Sequence, residues 1–295
     1  MRTQPSLLLA LACALAFAAP AECRVTIKPG TRVTAPPETV TVRSGELALR
    51  AVVYRPMGRG PFPGILFLHG SGHGAGVAAN GQRDQRHPEL TGPLFARHGY
   101  VFLYLYRRGD ALSKGQGTAG GDVMDQEEKT AGTDGRNGAQ LSLLEGDEMN
   151  DALAGLRHLR RLKGVNPRRI GVVGISFGGS LAVLAAERAP SIRAGVVFSP
   201  AGYSWDRSPT LRARLIAASR RVPIPLFFIH ATNDFTVESG KALAAARARR
   251  GRPGRVKVYP AVGKTQEEGH DFIDLGVSVW ERDVFAFLDR YVKRG

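Results

Sequence analysis

The sequence predicts an α/β fold, with a mostly parallel central sheet and helices on both of its faces. Short, mostly apolar runs at residues 65–68, 100–106, 170–174, 192–198 and 225–231 have the length and composition of strands buried on both sides. Stretches of helical length separate most of them, and this alternation continues from residue 64 to the end of the chain. No internal repeat or domain-sized insertion interrupts it. The 295 residues, 43% hydrophobic and 23% charged, suit one large globular domain.

Residues 1–21 have the layout of a secretory signal peptide. Arg2 supplies the positive start, residues 7–19 are apolar, and Ala19-Pro20-Ala21 carries the small residues that a signal peptidase reads. The apolar run is shorter than the roughly 20 residues that a membrane span needs. The expectation is a secreted or periplasmic protein, cleaved near Ala21, with no transmembrane segment in the mature chain. Cleavage removes Cys13 and leaves Cys23 alone, which excludes an internal disulfide. Residues 22–37, with Pro29, Pro36 and Pro37, read as an N-terminal arm, and residues 38–295 as the folded domain.

Within that domain, residues 39–42 and 47–54 alternate like strands about a turn at Ser44-Gly45 and extend the sheet antiparallel. The strand at 65–68 ends in a glycine-rich loop, His69-Gly70-Ser71-Gly72-His73-Gly74. A short helix near 92–98 leads to the strand at 100–106. Residues 107–139, glycine-rich and polar, predict a long loop of the kind that often serves function. Met149, Leu153, Leu156 and Leu159 recur at helical spacing and predict a helix over 140–163, with acids at its start, bases at its end and Gly164 as its stop. Further helices are expected at 177–188, 211–219, 239–249 and 277–292, that at 211–219 as a small lid. The last strand is expected at 256–259.

Gly174-Ile175-Ser176-Phe177-Gly178 matches the pattern G-x-S-x-G and lies between a predicted strand and a predicted helix. A serine on so sharp a turn projects its oxygen above the sheet. Helix and strand then approach too closely for side chains at the two flanking glycines. A serine hydroxyl needs a base, and the base needs an orienting acid. Where such an elbow carries the nucleophile, the acid and then the histidine follow it in the chain. After Ser176 the histidines are His230 and His270. His270 follows the last strand and is the expected base. Asp234 follows the strand at 225–231 and is the expected acid. Of the competing acids Asp206, Glu238, Asp271 and Asp274, the first lies before that strand and the last two are too near His270 to orient it. His230 precedes the acid and reads as a strand-end histidine. The amide of Phe177 is one expected donor to an oxyanion, and that of Ser71 the second, with Gly72 as its alternate.

Arg107 and Arg108 follow the strand at 100–106 on the same edge of the sheet, placed either to contact an acidic substrate group or to pair with the acidic segment beyond. His69 stands at the base of the glycine-rich loop, either beside a substrate or packed structurally. His69 and His73 lack carboxylates at ligand spacing, so no metal is expected. The formal charge is +15, but the basic residues are spread over 157–169, 207–221 and 247–255 with almost no aromatics among them. That distribution argues against nucleic-acid binding.

These residues together resemble the dienelactone hydrolase-like branch of the α/β-hydrolases. The resemblance rests on His69-Gly70-Ser71-Gly72, Tyr106-Arg107-Arg108-Gly109, Arg169 through Gly179, His230-Ala231-Thr232-Asn233-Asp234 and Glu268-Gly269-His270. It implies the α/β-hydrolase fold with small or no cap, an Asp234–His270 pair and no cofactor. Dienelactone hydrolases proper carry cysteine where Ser176 stands, which points away from dienelactone as substrate. The expectation is hydrolysis of a small carboxylic ester through an acyl-enzyme on Ser176. A peptide or amide bond, as in prolyl-oligopeptidase-like peptidases, is the alternative substrate. A non-catalytic binding module on the same fold is the competing class.

Overall fold

A computed structural model describes residues 34–71, 82–252 and 254–294. The expected signal peptide, most of the N-terminal arm, Gly72 and His73 lie outside the described residues. The arm's last residues join the sheet: Thr34 bridges to Pro56, and Ala35 N donates to Arg55 O at 3.2 Å.

β1 (Glu38–Ser44) and β2 (Leu47–Tyr54) form an antiparallel hairpin that turns at Gly45, where φ is +57°. β2 also pairs antiparallel with β4 (Val101–Leu105). From β4 onward every pairing is parallel, through β3 (Phe62–Leu68), β5 (Val165–Ile175), β6 (Ile192–Phe198), β7 (Leu226–Ala231) and β8 (Gly254–Tyr259). The resulting eight-stranded order, β1-β2-β4-β3-β5-β6-β7-β8, is that of an α/β-hydrolase.

The two-residue period of a strand sends successive side chains to opposite faces. Leu66 and Leu68 of β3 and Leu103 and Leu105 of β4 enter one core. Ile65, Phe67, Phe102 and Tyr104 enter the other. Helices α2 (Gly120–Glu145), α3 (Asp147–Arg161), α4 (Ser176–Arg188), α5 (Pro209–Arg221) and α6 (Glu238–Ala248) cover the first face. Helices α1 (Gln82–Arg97), α8 (Phe272–Leu275) and α9 (Val277–Leu288) cover the second. Burial on both sides explains why the central stretches of the parallel strands are mostly apolar, each large side chain contributing about 1.5–3 kcal/mol.

Three expectations are corrected. Residues 107–139 are not one long loop: a turn containing Gly115 and Gly117 at positive φ leads into α2. Glycine composition disfavours a helix there. Burial of Met124, Gln140, Leu143 and Leu144 offsets it, and Gly132 (φ 65°, ψ −158°) absorbs the bend between the two helical halves. Arg136 ties the halves together through Asp125 at 2.6 Å and Glu128 at 3.0 Å. The helix expected over 140–163 is divided at Gly146 (φ −112°, ψ −105°) into the end of α2 and the whole of α3. Finally, α5 is no lid. Leu211, Leu215 and Ala218 form one fully buried stripe that packs into the core against α4 and α6.

Candidate active site

The turn from β5 to α4 places Ser176 at φ +57°, a left-handed conformation that costs a non-glycine residue about 1–3 kcal/mol. Its neighbours show why the sequence carries glycine on either side. A Cβ on Gly174 would lie 2.2 Å from Gly178 O, and one on Gly178 would lie 2.1 Å from Leu68 O and 2.2 Å from His69 O. The start of α4 is thereby pressed against the end of β3 and the loop that follows it. Gly70 passes beside the serine, since a Cβ there would lie 3.7 Å from Ser176 Cβ. Ser71 and Phe177 line one small cavity together with Arg107, Asp110, Met124 and Glu148.

Asp234 follows β7, and its N–H closes a turn onto Ala231 O at 3.2 Å. His270 ends α7 (Gln266–His270), a short helix that begins with a capping box. Thr265 Oγ1 accepts from Glu268 N at 3.2 Å, and Glu268 Oε2 accepts from Thr265 N at 2.9 Å. Sequence reasoning read this stretch as a loop, although Thr265-x-x-Glu268 is the signature of such a start. Asn233 docks α7 onto the loop after β7: its Nδ2 donates to Val262 O at 2.8 Å and Thr265 O at 2.7 Å. Gly269 permits the contact, for a Cβ there would lie 2.4 Å from Asn233 O.

This docking brings His270 Nδ1 to 2.7 Å from Asp234 Oδ1. With Nδ1 on the carboxylate, Nε2 is the ring nitrogen left for chemistry. Phe235 N also donates to Oδ1, at 2.8 Å. His230, which the sequence placed only as a strand-end residue, is fully buried with Nδ1 2.7 Å from Asp234 Oδ2. Burial of Asp234 opposes its ionisation. The hydrogen bonds from His230 and His270 outweigh that cost and hold its carboxyl well below the usual range. Strain also gathers around His270: Ser199 (φ 48°) and Ala201 (φ 56°) are left-handed, and a Cβ on Gly202 would lie 2.4 Å from His270 Cε1. Phe235 packs on the imidazole at 5.0 Å between centroids, and Tyr203 meets Phe235 edge-on at 6.1 Å.

Of the two readings that the sequence leaves open for Arg107, Arg108 and His69, their positions favour ion pairing and packing over contact with substrate. Arg107 is fully buried and ion-paired with Glu148. Its Nη1 donates to His69 O at 2.8 Å, its Nη2 to Gly70 O at 2.9 Å, and its guanidinium lies 5.3 Å from the centre of the Phe177 ring. Burial disfavours its charge, but Glu148 and Asp110 more than restore it. Arg108 grips Asp151 through Nε at 2.9 Å and Nη2 at 3.0 Å, and it also meets Asp147. The acids that hold both arginines stand on α3, not in the acidic segment at 122–128. His69 is fully buried, stacks on Tyr104 at 5.7 Å, and lies 3.6 Å from Asp110. These side chains support the loop from beneath.

The model of the dienelactone hydrolase family matches residues 49–272. No curated protein matches the chain in sequence. Among solved structures, Pyrococcus horikoshii acylaminoacyl peptidase is similar with a TM-score of 0.62 and 17% identity, over 88% of this chain and 42% of that one. This chain therefore spans less than half the length of that peptidase. An esterase from Pyrococcus furiosus is similar with a TM-score of 0.59 and 19% identity, over 87% of this chain and 93% of that one. A Klebsiella pneumoniae protein assigned as a dienelactone hydrolase gives 0.56 and 16%, over 88% and 100%. At these identities the likeness is one of fold. The family model covers most of the chain, including the elbow, the acid and the histidine, and the chain belongs to the dienelactone hydrolase family of α/β-fold hydrolases.

Proposed function

We propose that this protein is an exported serine hydrolase that cleaves a small carboxylic ester through an acyl-enzyme on Ser176. The observation that carries the reading is the 2.7 Å His270–Asp234 hydrogen bond, with Asp234 following β7 at the same edge of the parallel sheet where β5 leads into Ser176 and its left-handed elbow. His270 Nε2 takes the proton of Ser176 as Oγ attacks the ester carbonyl. The amides of Phe177 and Ser71 face the oxyanion, and Asp234 holds the imidazole tautomer and stabilises the imidazolium. His270 passes the proton to the departing alkoxide. A water deprotonated by the same nitrogen then releases the carboxylic acid and restores Ser176. The chemistry requires no cofactor. Likeness of fold to an acylaminoacyl peptidase keeps amide substrates as the second reading.

A fluorophosphonate probe tests the proposal. The folded protein is expected to gain one phosphonyl adduct, mapped by peptide mass spectrometry to Ser176. A folded protein that takes up no probe leaves the binding-module class standing. Esters and N-blocked amino-acid amides assayed side by side then separate the two substrate classes. A second prediction concerns Gly202. In Gly202→Ala the new methyl displaces the His270 ring, and kcat for 4-nitrophenyl acetate is expected to fall about 100-fold, the scale of a misplacement near 1 Å. Thermal denaturation checks that the fold persists.

A further inference from the structure

We propose that His230 is a positioning residue for the acid, so that Asp234 is oriented by a second, buried histidine on the side opposite His270. The inference rests on the serine-hydrolase reading and adds a member to its hydrogen-bonded chain.

Both nitrogens of His230 are engaged. Gly240 N donates to Nε2 at 3.2 Å, so Nε2 carries the lone pair. The proton is therefore on Nδ1, which donates to Asp234 Oδ2 at 2.7 Å. Gly240 lies in the first turn of α6, where backbone amides have no partner within the helix. One such amide thus selects the tautomer of His230, and that tautomer presents its donor to the carboxylate. The ring has no freedom to leave. It is fully buried, and a Cβ on Gly240 would lie 2.4 Å from Nε2 and 2.8 Å from Cδ2.

The consequence for Asp234 follows from its burial, since its side chain has no exposed surface. Without His230, Oδ2 would be a buried carboxylate oxygen stripped of its donor, and the group would gain by turning or by taking a proton. Either change breaks the alignment of Oδ1 with His270 Nδ1. A lysine or arginine in place of His230 would also satisfy Oδ2, but its positive charge would cancel the negative charge that stabilises the His270 imidazolium. A neutral imidazole fixes the geometry and leaves that charge intact.

The test compares the wild type with His230→Leu, His230→Asn and Gly240→Ala, using 4-nitrophenyl acetate turnover and the rate of fluorophosphonate labelling. Leucine removes the donor. Asparagine restores it, because its amide nitrogen occupies the place of Nδ1. Alanine at 240 keeps the imidazole but pushes it aside. His230→Leu and Gly240→Ala are expected to lose about 10- to 100-fold in kcat with KM within twofold, the worth of one hydrogen bond to a charged group. His230→Asn is expected to recover most of the loss. The downfield proton resonance of His270 Nδ1–H, which donates to Asp234 Oδ1, is expected to be lost in His230→Leu and retained in His230→Asn. Wild-type kcat in His230→Leu, or equal losses in the leucine and asparagine variants, would overturn the proposal. If His230→Leu does not fold, Gly240→Ala decides: wild-type turnover there also overturns it. A wild-type protein that takes up no probe sinks the hydrolase reading itself, and this inference with it, which is distinct from a labelled wild type whose variants are unaffected.

Discussion

Asp234→Asn is expected to lower kcat by about 10⁴-fold, the scale seen when the acid of such a triad becomes an amide. The geometry explains why so small a change is so damaging. Oδ1 faces the donors of His270 and Phe235, and Oδ2 faces that of His230. Either orientation of an asparagine amide sets its NH₂ against an N–H. With the NH₂ toward His270, that imidazole must take the tautomer that carries its proton on Nε2, where it cannot accept from serine. Steady-state turnover of 4-nitrophenyl acetate measures the loss, and a variant within tenfold of the wild type would remove Asp234 from the mechanism. The same carboxylate has a signature in stability. Its folded pKa lies below the value of about 3.9 for a free aspartate, so its stabilising contribution is full above that value and lost as pH falls through the folded one. The stability gap between wild type and Asp234→Asn is therefore expected to narrow below about pH 4, as read from urea melts across pH 3–7.

Arg107→Met is expected to cost about 3–5 kcal/mol of stability, because it leaves Glu148 as an unpaired charge in the core. Both side chains are only 1% exposed. Replacing the pair together, Arg107→Met with Glu148→Leu, is expected to recover most of the stability. Activity is not expected to follow. The double variant still lacks the guanidinium contacts to His69 O and Gly70 O, which hold the chain entering Ser71. If Ser71 supplies an oxyanion donor, its displacement costs about 10²–10³-fold in kcat. Chemical denaturation and turnover, measured on both single variants and the double, separate the two effects. Equal recovery of stability and turnover in the double variant would reduce Arg107 to an ion-pair partner alone.

The parallel strands were legible because burial on both faces writes them as mostly apolar runs, and β6 was bounded correctly at both ends, although Arg193 within it is exposed. The glycines at 174 and 178 were legible because close backbone contacts force them. The partnership of Asp234 with His270 could be anticipated from chain order alone, since both follow strands of the same sheet. α2 was hidden because its glycines mask a helix that burial sustains. The role of Arg107 was hidden because its partner lies 41 residues downstream on another element, beyond any local pattern. His230 was correctly placed at the end of β7. Its bond to Asp234 depends on how the intervening turn folds back, which spacing does not reveal.

The order of the groups along the sheet has a consequence during synthesis. The proposed nucleophile sits between β5 and α4, while His270 waits for β8 and α7 to follow. A ribosome adding roughly 5–20 residues per second needs on the order of 5–20 s to travel from one to the other. Throughout that interval the growing polypeptide carries the serine without the histidine. Under the proposed mechanism no acyl-enzyme can form before that histidine is in place, whether the chain folds on the ribosome or after export.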